Sequence, residues 1–488
     1  MKNHNSLSFS EEEIQKLFGH EAAEDENPER LREYYFKSDT YDQVSTDLSL
    51  RILVGHKGIG KSALFQVSMA ENAEANLLTV AIKPDDIVGL ATDTTDFLQT
   101  IRDWKEGLIG IIAKKILISF GVTDDKISSR LAGYGGHILD LVKDIFEKKS
   151  GLSITPVNQK LIGQFLKDSS IYVYIDDLDR GWQGRESDVA RISALLNAVR
   201  DISTESRGIK FRVGLRSDVY YLVRTSDEST DKIEGSVIWH TWTNHEIFVL
   251  LVKRVESFFG REVDERKLLE TPQWQLARYL EPVMEPRYTG QGHWENAPMY
   301  RVLMSLTRKR PRDLVKLCTL AGKRARKRQD NLIRTIDFKD SFEEYSQGRL
   351  QDTINEFRSE LPNIERLLLG MKPVRKTRTA KQSYTFSTDE LLRKIKNIEE
   401  QGVFRFANKI EATTKDLAGF MYKINFLTAR KENPEGIVRK YFEESRFLQN
   451  QFADFGFAWE VHPAFRWALQ PDDIRDIFNT LELSADTK

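Results

Sequence analysis

The stretch RILVGHKGIGKSAL, residues 51–64, decides how the rest of the chain is read. Its first four residues, with three apolar side chains, suit a short buried strand. Residues 55–62, GHKGIGKS, then satisfy G-x-x-x-x-G-K-[ST]. KSALFQVSMAENA follows as a helix. Each residue type has a physical task. The glycines let the backbone curl so that successive N–H groups face phosphate oxygens. The helix turns its positive end toward the same anion. On this reading Gly55, His56, Lys57, Gly58, Ile59, Gly60, Lys61, Ser62 and Ala63 wrap the phosphates. Lys61 brings a mobile charge to the β- and γ-phosphates, and the Ser62 hydroxyl is a ligand for Mg²⁺. The rival is a dinucleotide fingerprint built on Gly58-x-Gly60. It leaves Lys61 and Ser62 without a task, and no acidic ribose partner follows at the usual strand end.

A second stretch supplies the other half of such a site. IYVYIDDLDR, residues 171–180, is an apolar strand that ends in acids. Asp176 is expected to hold Mg²⁺, directly or through water, and Asp177 to orient or deprotonate an attacking water. Asp179 and Arg180 either pair with each other or reach a neighbouring subunit. No N/T-K-x-D motif for guanine occurs, which favours ATP over GTP. Two arginines are candidates to sense the γ-phosphate. Arg216 ends the strand FRVGLRSD, expected beside the P-loop strand. Arg312 follows Pro311 at a helix start, with Arg308 and Arg310 as competitors for the same role. An arginine that reaches the γ-phosphate from a lid makes closure depend on ATP.

Further along, strands are expected at NLLTVAIKP (76–84), 170–179, 209–218 and SVIWHTW (236–242). Helices are expected between them, including a long amphipathic one over 94–120, a helix at ILDLVKDIFEKK after the glycine-rich break LAGYGGH, and one at ARISALLNAVRDI. This alternation predicts a three-layer α/β P-loop NTPase domain with a parallel sheet. After Trp242 the pattern turns helical, opening with a Thr243–Glu246 capping box. The fold expected overall is that α/β domain, then a helical lid domain and a C-terminal winged helix. The boundaries read as an acidic extension over 1–38, the ATPase domain over 39–242 with a helical insertion over 84–170, the lid over 243–350, and a helical linker with a winged-helix-like domain over 351–488. The latter comprises helical STDELLRKIKNIEEQ, helical TKDLAGFMYKINFLTAR and a terminal FAWEVHPAFRWAL.

Composition bounds these readings. A length of 488 residues suits about three domains. Apolar content of 40% is ordinary for a globular chain. A net charge of −1, from 73 basic and 74 acidic residues, gives no global attraction to nucleic acid or membrane. The single cysteine, Cys318, excludes an intramolecular disulfide framework and fits a reducing cytosol; its apolar flanks predict a buried structural thiol. No apolar run is long enough to span a bilayer, so a cytoplasmic protein without membrane contact is expected. The eight histidines lack metal-ligand spacing, and His240 and His245 read as surface residues.

The stretches VGHKGIGKSAL, YVYIDDLDRGW, GLRSD and KRPRDLVKL together resemble bacterial ATPases of the STAND and KAP type, within the AAA-like group of P-loop proteins. YYFKSDTYDQV and EEYSQGRLQDTINEF look like a prokaryotic P-loop ATPase family met beside defence genes. The resemblance covers about residues 30–345. It implies ATP-dependent conformational switching, commonly with oligomerisation, in the service of a sensor or effector. No nuclease, TIR-like or protease module is visible, so an effector is expected as a separate chain. Residues 308–328 hold ten basic residues and one acid, and KPVRKTRTAKQ (372–382) adds five more basic residues. These could contact a phosphate backbone or form a solvated helix face. Two functions therefore remain open: a regulatory ATPase switch acting through protein partners, plausible in anti-phage defence, and a nucleic-acid-dependent ATPase of loader or initiator type.

Overall fold

A computed structural model of the chain describes residues 7–92, 95–119, 170–182, 184–226, 228–373, 384–433, 436–445, 448, 456–469, 477–478, 481 and 483. They form two compact units. One comprises Lys37–Lys57 and Lys61–His240; the other comprises Met1–Phe36, Gly58–Gly60 and Thr241–Lys488. Helices α1 (Glu11–Phe18) and α2 (Pro28–Tyr34) thus belong to the second unit, and are described with it.

The first unit is an α/β domain. Helix α3 (Asp39–Val44) leads to β1 (Leu50–Gly55), α4 (Lys61–Glu74), β2 (Leu78–Ile82) and α5 (Phe97–Ser119). The chain continues through β3 (Ile171–Ile175), α6 (Glu186–Glu205), β4 (Ile209–Arg216), α7 (Ser217–Ser226) and β5 (Val237–Trp239). All neighbouring strands run parallel, in the order β2-β3-β4-β1-β5. Parallel pairing needs crossovers, and those helices cover both sheet faces. The alternation of side chains along the strands sorts the faces. Ile171, Val173 and Ile175 of β3 join Phe211, Val213 and Leu215 of β4 in a core with Trp104 and Leu108 of α5, Leu195 of α6 and Val219 of α7. Tyr172 and Tyr174 take the opposite parity. Tyr174 meets Phe65 of α4 edge-on at 5.4 Å, and its hydroxyl bonds Ser68 and Asn72 at 2.8 and 2.9 Å. The long helix expected over 94–120 is present as α5. The glycine-rich break at 131–137 and the helix expected at ILDLVKDIFEKK lie outside the described residues, as does most of the expected 84–170 insertion.

The second unit is mainly helical. Ser10 and Glu13 close a capping box on α1. The apolar face of α1, Ile14, Leu17 and Phe18, is buried against the later helix Pro311–Lys327 and against α8 (Asn244–Phe258), which opens with the Thr243–Glu246 capping box. A short hairpin follows, β6 (Arg287–Thr289) with β7 (Glu295–Pro298). The sequence reading had only helices there. Next come α9 (Met299–Leu306), α10 (Pro311–Lys327), α11 (Thr335–Phe357) and α12 (Ile364–Gly370). The last part holds β8 (Thr385–Phe386), α13 (Thr388–Glu399), α14 (Thr414–Lys423), β9 (Leu427–Asn433), β10 (Gly436–Lys440) and β11 (Ala458–Val461). Two helices followed by the β9–β10 hairpin give the winged-helix order, with β11 between β9 and β8 in an antiparallel sheet. The helix read through Arg430 stops at Lys423. Asn425 turns left-handed with φ 58°, and the β-compatible run LTA then pairs with β10 and β11.

Among the described residues no helix is long and apolar enough to cross a membrane. Cys318 is buried, and burial pushes its thiol up to about 12.

Candidate nucleotide site

In the α/β unit, β1 is flanked by β4 on one side and β5 on the other, and β3 lies beyond β4. Phosphates bind such sheets beyond the C-terminal ends of their strands. The P-loop, the DDLDR acids and Arg216 all follow or finish β1, β3 and β4 at those ends. Gly55 stands directly beside Arg216 in register, so β4 does border the P-loop strand.

The loop has the curl that its glycines allow: Gly58 and Gly60 take φ of 78° and 109°. Helix α4 starts at Lys61, so its first N–H groups lie at the end of the motif. The Lys61 ammonium folds back over the loop and donates to the carbonyls of Gly55 and His56 at 2.7 and 3.2 Å. A cation so held, beside a helix N-terminus, is the charge arrangement that suits an anion. His56 is buried and bonds the Ser217 hydroxyl through Nδ1 at 3.1 Å. Lys57 is exposed; Ser62 and Ala63 are half-buried at the start of α4.

His240, read as a surface residue, is buried where the chain leaves β5, its backbone N–H bonded to Val54. Burial, reinforced by the nearby Lys61 charge, pushes its imidazole down to about 3. It therefore stays neutral and adds no charge to the site. His245 is also buried, with Nε2 at 2.8 Å from the Leu269 carbonyl. The three-residue strand before His240 was too short for its alternation to reveal that burial, and His245 lies in the first turn of α8.

The acids form a tight turn. Asp177 adopts φ 59°, uncommon for any residue but glycine and least costly for Asp and Asn. Arg180 N–H closes on the Asp177 carbonyl at 3.0 Å, and Trp182 N–H on that of Asp179 at 2.9 Å. Asp176 is half-buried and Asp177 exposed. The Asp176 carboxylate lies over Gly214 of β4: a Cβ built on Gly214 would stand 2.4 Å from its Oδ1. Gly214 is thus a site residue that the sequence reading passed over. Its signal was a glycine inside an otherwise apolar strand, the mark of a close approach.

The Asp179 carboxylate accepts from Arg216 Nη1 at 2.9 Å. Arg216 also grips Asp218 through Nε and Nη2 at 3.0 and 2.7 Å. Both β4–α7 ends and the acid turn therefore meet on one guanidinium.

In the second unit the three competing arginines separate. Arg308 is buried against Asp313, at 2.7 and 3.0 Å, and Thr353. Arg310 is buried with Glu356 at 3.3 Å. Arg312 is half-buried: its Nε donates to the Glu21 carbonyl at 3.0 Å, its backbone N–H lies 3.4 Å from the Gly58 carbonyl, and its side chain packs on Gly58. Trp242 Nε1 donates to the Ile59 carbonyl at 2.8 Å.

The rest of the basic run is largely met by acids. Lys316 pairs with Glu21, Arg324 with Glu344, Lys323 and Arg326 with Glu11 at 3.5 Å, and Arg328 with Asp330 and Asp337. Helix α14, in the place of a winged-helix recognition helix, is buried from Leu417 to Lys423. Of the basic stretch 372–382, only Lys372 and Pro373 fall within the described residues.

This architecture makes the α/β unit a P-loop NTPase fold, with the GHKGIGKS loop, the acid turn and the Arg216 strand end at one end of its parallel sheet. Residues 283–354 match the FunZ-associated C-terminal helical domain, which spans β6 to most of α11. A curated relative, the putative transposon gamma-delta 80.3 kDa protein of Escherichia coli K12, is 21% identical over 96% of this chain and 70% of its own length. Among solved structures, the Walker-type ATPase of Pyrococcus abyssi is similar at 12% identity, covering 89% of this chain and 96% of that one, with a TM-score of 0.41. The ORC2 protein of Aeropyrum pernix, solved with ADPNP and ADP, is similar at 9% identity over 88% and 87%, also at 0.41.

Proposed function

We propose that the chain is an ATP-binding and ATP-hydrolysing switch. The reading is carried by the meeting, at one end of a parallel sheet, of a Lys61 ammonium drawn over the P-loop and an acid turn whose Asp176 lies over Gly214. The backbone N–H groups of 55–63 and Lys61 bind the phosphates. Mg²⁺ would be held by Ser62 and Asp176, and when bound it neutralises charge on the phosphate oxygens. Asp177 takes the proton of the attacking water, or orients that water, for in-line attack. Arg216 and Arg312 are the γ-phosphate readers. Arg312 lies against Gly58 within its own unit, which supports a role at the phosphate loop rather than in the core.

The resemblance to STAND and KAP ATPases supports a switch that changes domain arrangement or oligomeric state and commands a separate effector or sensor protein, plausible in bacterial anti-phage defence. Phosphate release from ATP tests the reading. The parent turns over with Mg²⁺, Lys61→Ala does not bind ATP, and Asp177→Asn binds it but barely hydrolyses it. Equal turnover by Asp177→Asn and the parent sinks the assignment of the base.

A second reading, an ATPase dependent on nucleic acid, draws support from the open C-terminal end of α10, where Lys323, Arg326 and Lys327 remain exposed, and from the name of the transposon-associated relative. The acids around that run and the burial of α14 favour the first reading. ATPase rates with and without DNA or RNA at low salt separate the two.

A further inference from the structure

The Arg216 cluster holds a feature that ATP hydrolysis alone does not require. Arg216 lies at the C-terminal tip of β4, level with Gly55, where the phosphate loop begins. Its side chain is only 13% exposed, and its guanidinium bridges two carboxylates from different elements. Asp218, almost fully buried at the start of α7, takes two of its N–H groups in fork geometry. Asp179, 16% exposed in the acid turn, takes a third. The turn carrying Asp179 is the one that presents Asp176 and Asp177. One guanidinium thus faces two negative charges where a single carboxylate would satisfy it. The second attachment reaches into the acid turn.

We infer that Asp218 anchors Arg216 and that Asp179 is a releasable latch, displaced when the terminal phosphate of a nucleoside triphosphate competes for the same guanidinium. The inference rests on the ATP reading above. It assigns Asp179 a positioning role: it touches neither substrate nor water, and acts through Arg216. A triphosphate carries the extra charge needed to win Arg216 from Asp179; a diphosphate does not, and leaves the acid turn tied to β4. The site then distinguishes the two nucleotides by whether one ion pair is open or closed.

The test is calorimetric binding of ADPNP and ADP, each with Mg²⁺, to the full chain and its variants. Removing the Asp179 charge removes the competitor, so Asp179→Asn raises the preference for ADPNP over ADP about fivefold, the scale of a partly exposed ion pair. Asp179→Ala keeps the two backbone bonds of the turn and gives an independent reading with the same outcome. Asp179→Glu, which restores a carboxylate, returns the ratio toward that of the parent. In an Arg216→Ala background Asp179→Asn has no further effect, because the latch then has nothing to hold. A merely structural role for Asp179 moves both affinities together and leaves the ratio alone. An unchanged ratio in Asp179→Asn and Asp179→Ala, or an equal rise in the Arg216→Ala background, overturns the latch while the ATP reading stands. If the parent binds neither nucleotide, the ATP reading fails and takes the latch with it.

Discussion

Each unit contains an arginine gripped by an aspartate, and the two grips differ in what surrounds them. In the helical unit, Asp313 is fully buried between Arg308 and Arg349, at 2.7 to 3.0 Å, and the two guanidinium groups hold its carboxyl far below the usual range. Arg308 also lies over Phe465, so this network joins α10, α11 and the segment after β11 within one core. In the α/β unit, Arg216 sits at a strand tip, partly open to solvent, with one of its two carboxylates in a turn. A buried charge that cannot reach water must keep its partner, whereas a charge at a strand tip can exchange one anion for another. The first grip therefore belongs to stability, and the second is the one we propose to respond to nucleotide. Sequence alone placed Arg308, Arg310 and Arg312 on an equal footing, and burial separates them.

The comparison breaks most visibly if the α/β site is not catalytic. Asp177→Asn keeps the size and the left-handed conformation of the turn while removing the base. Turnover is expected to fall about 1,000-fold, with ATP affinity within a few-fold of the parent. Single-turnover phosphate release measures it.

The helical grip is tested by stability. Asp313→Ala leaves two buried guanidinium groups without their shared anion, and should cost about 3–5 kcal/mol, read from urea unfolding. Its pH dependence has a definite sign. The folded-state pKa of Asp313 is lowered, so its contribution is fully present above the ordinary value of 3.8 and is lost as pH falls below it. Glu460, held down to about 2 by Arg439 and Arg466, acts in the same sense from 4.5 downward. Acid unfolding of the parent should therefore steepen below about pH 4.5. Glu460→Gln should flatten that limb, and an unchanged limb removes Glu460 from the account.

Gly214→Ala lies between the two kinds of effect. The added methyl would overlap the Asp176 carboxylate and meet Phe65 at 3.2 Å. We expect kcat to drop about 10- to 100-fold from displacement of the acid turn, with a stability loss of about 1–2 kcal/mol from overpacking. A variant that loses stability but keeps its turnover would detach Asp176 from the chemistry.

The candidate nucleotide site was legible in proportion to how local its parts are. GHKGIGKS and IDDLD are contiguous, and each carries its own strand signal, so the loop and the acids followed from spacing and the place of β4 from the fold class they imply. The partners of Arg216 were not legible, because Asp179 stands 37 residues away along the chain and any nearby basic residue competes for it on paper. The same limit applies to His240, whose burial depends on packing around a three-residue strand. At the other end of the chain, the strong helical pattern of TKDLAGFMYK carried past its true stop because Asn425 gives only a weak break signal. The charge of the basic run was countable in the sequence, but two of the acids that meet it, Glu11 and Glu21, lie some 300 residues earlier.

Those surface pairs set the lower end of the scale. Lys316 and Glu21 are 2.8 Å apart, yet both side chains are about one-third or more exposed. Solvent screening then leaves little net attraction. Glu21→Ala should change stability by no more than about 0.5 kcal/mol, and less at high salt. Arg312 should hold its place in this variant, because it donates to the Glu21 carbonyl and not to the carboxylate. Urea unfolding at low and high salt measures the first point, and unchanged ATP affinity the second. A loss above about 1 kcal/mol would exceed what an exposed pair supplies. It would mean that the acidic segment is held to α10 by charge rather than by the buried Ile14, Leu17 and Phe18, and that the contrast between buried and exposed arginine grips is less sharp than their surroundings imply.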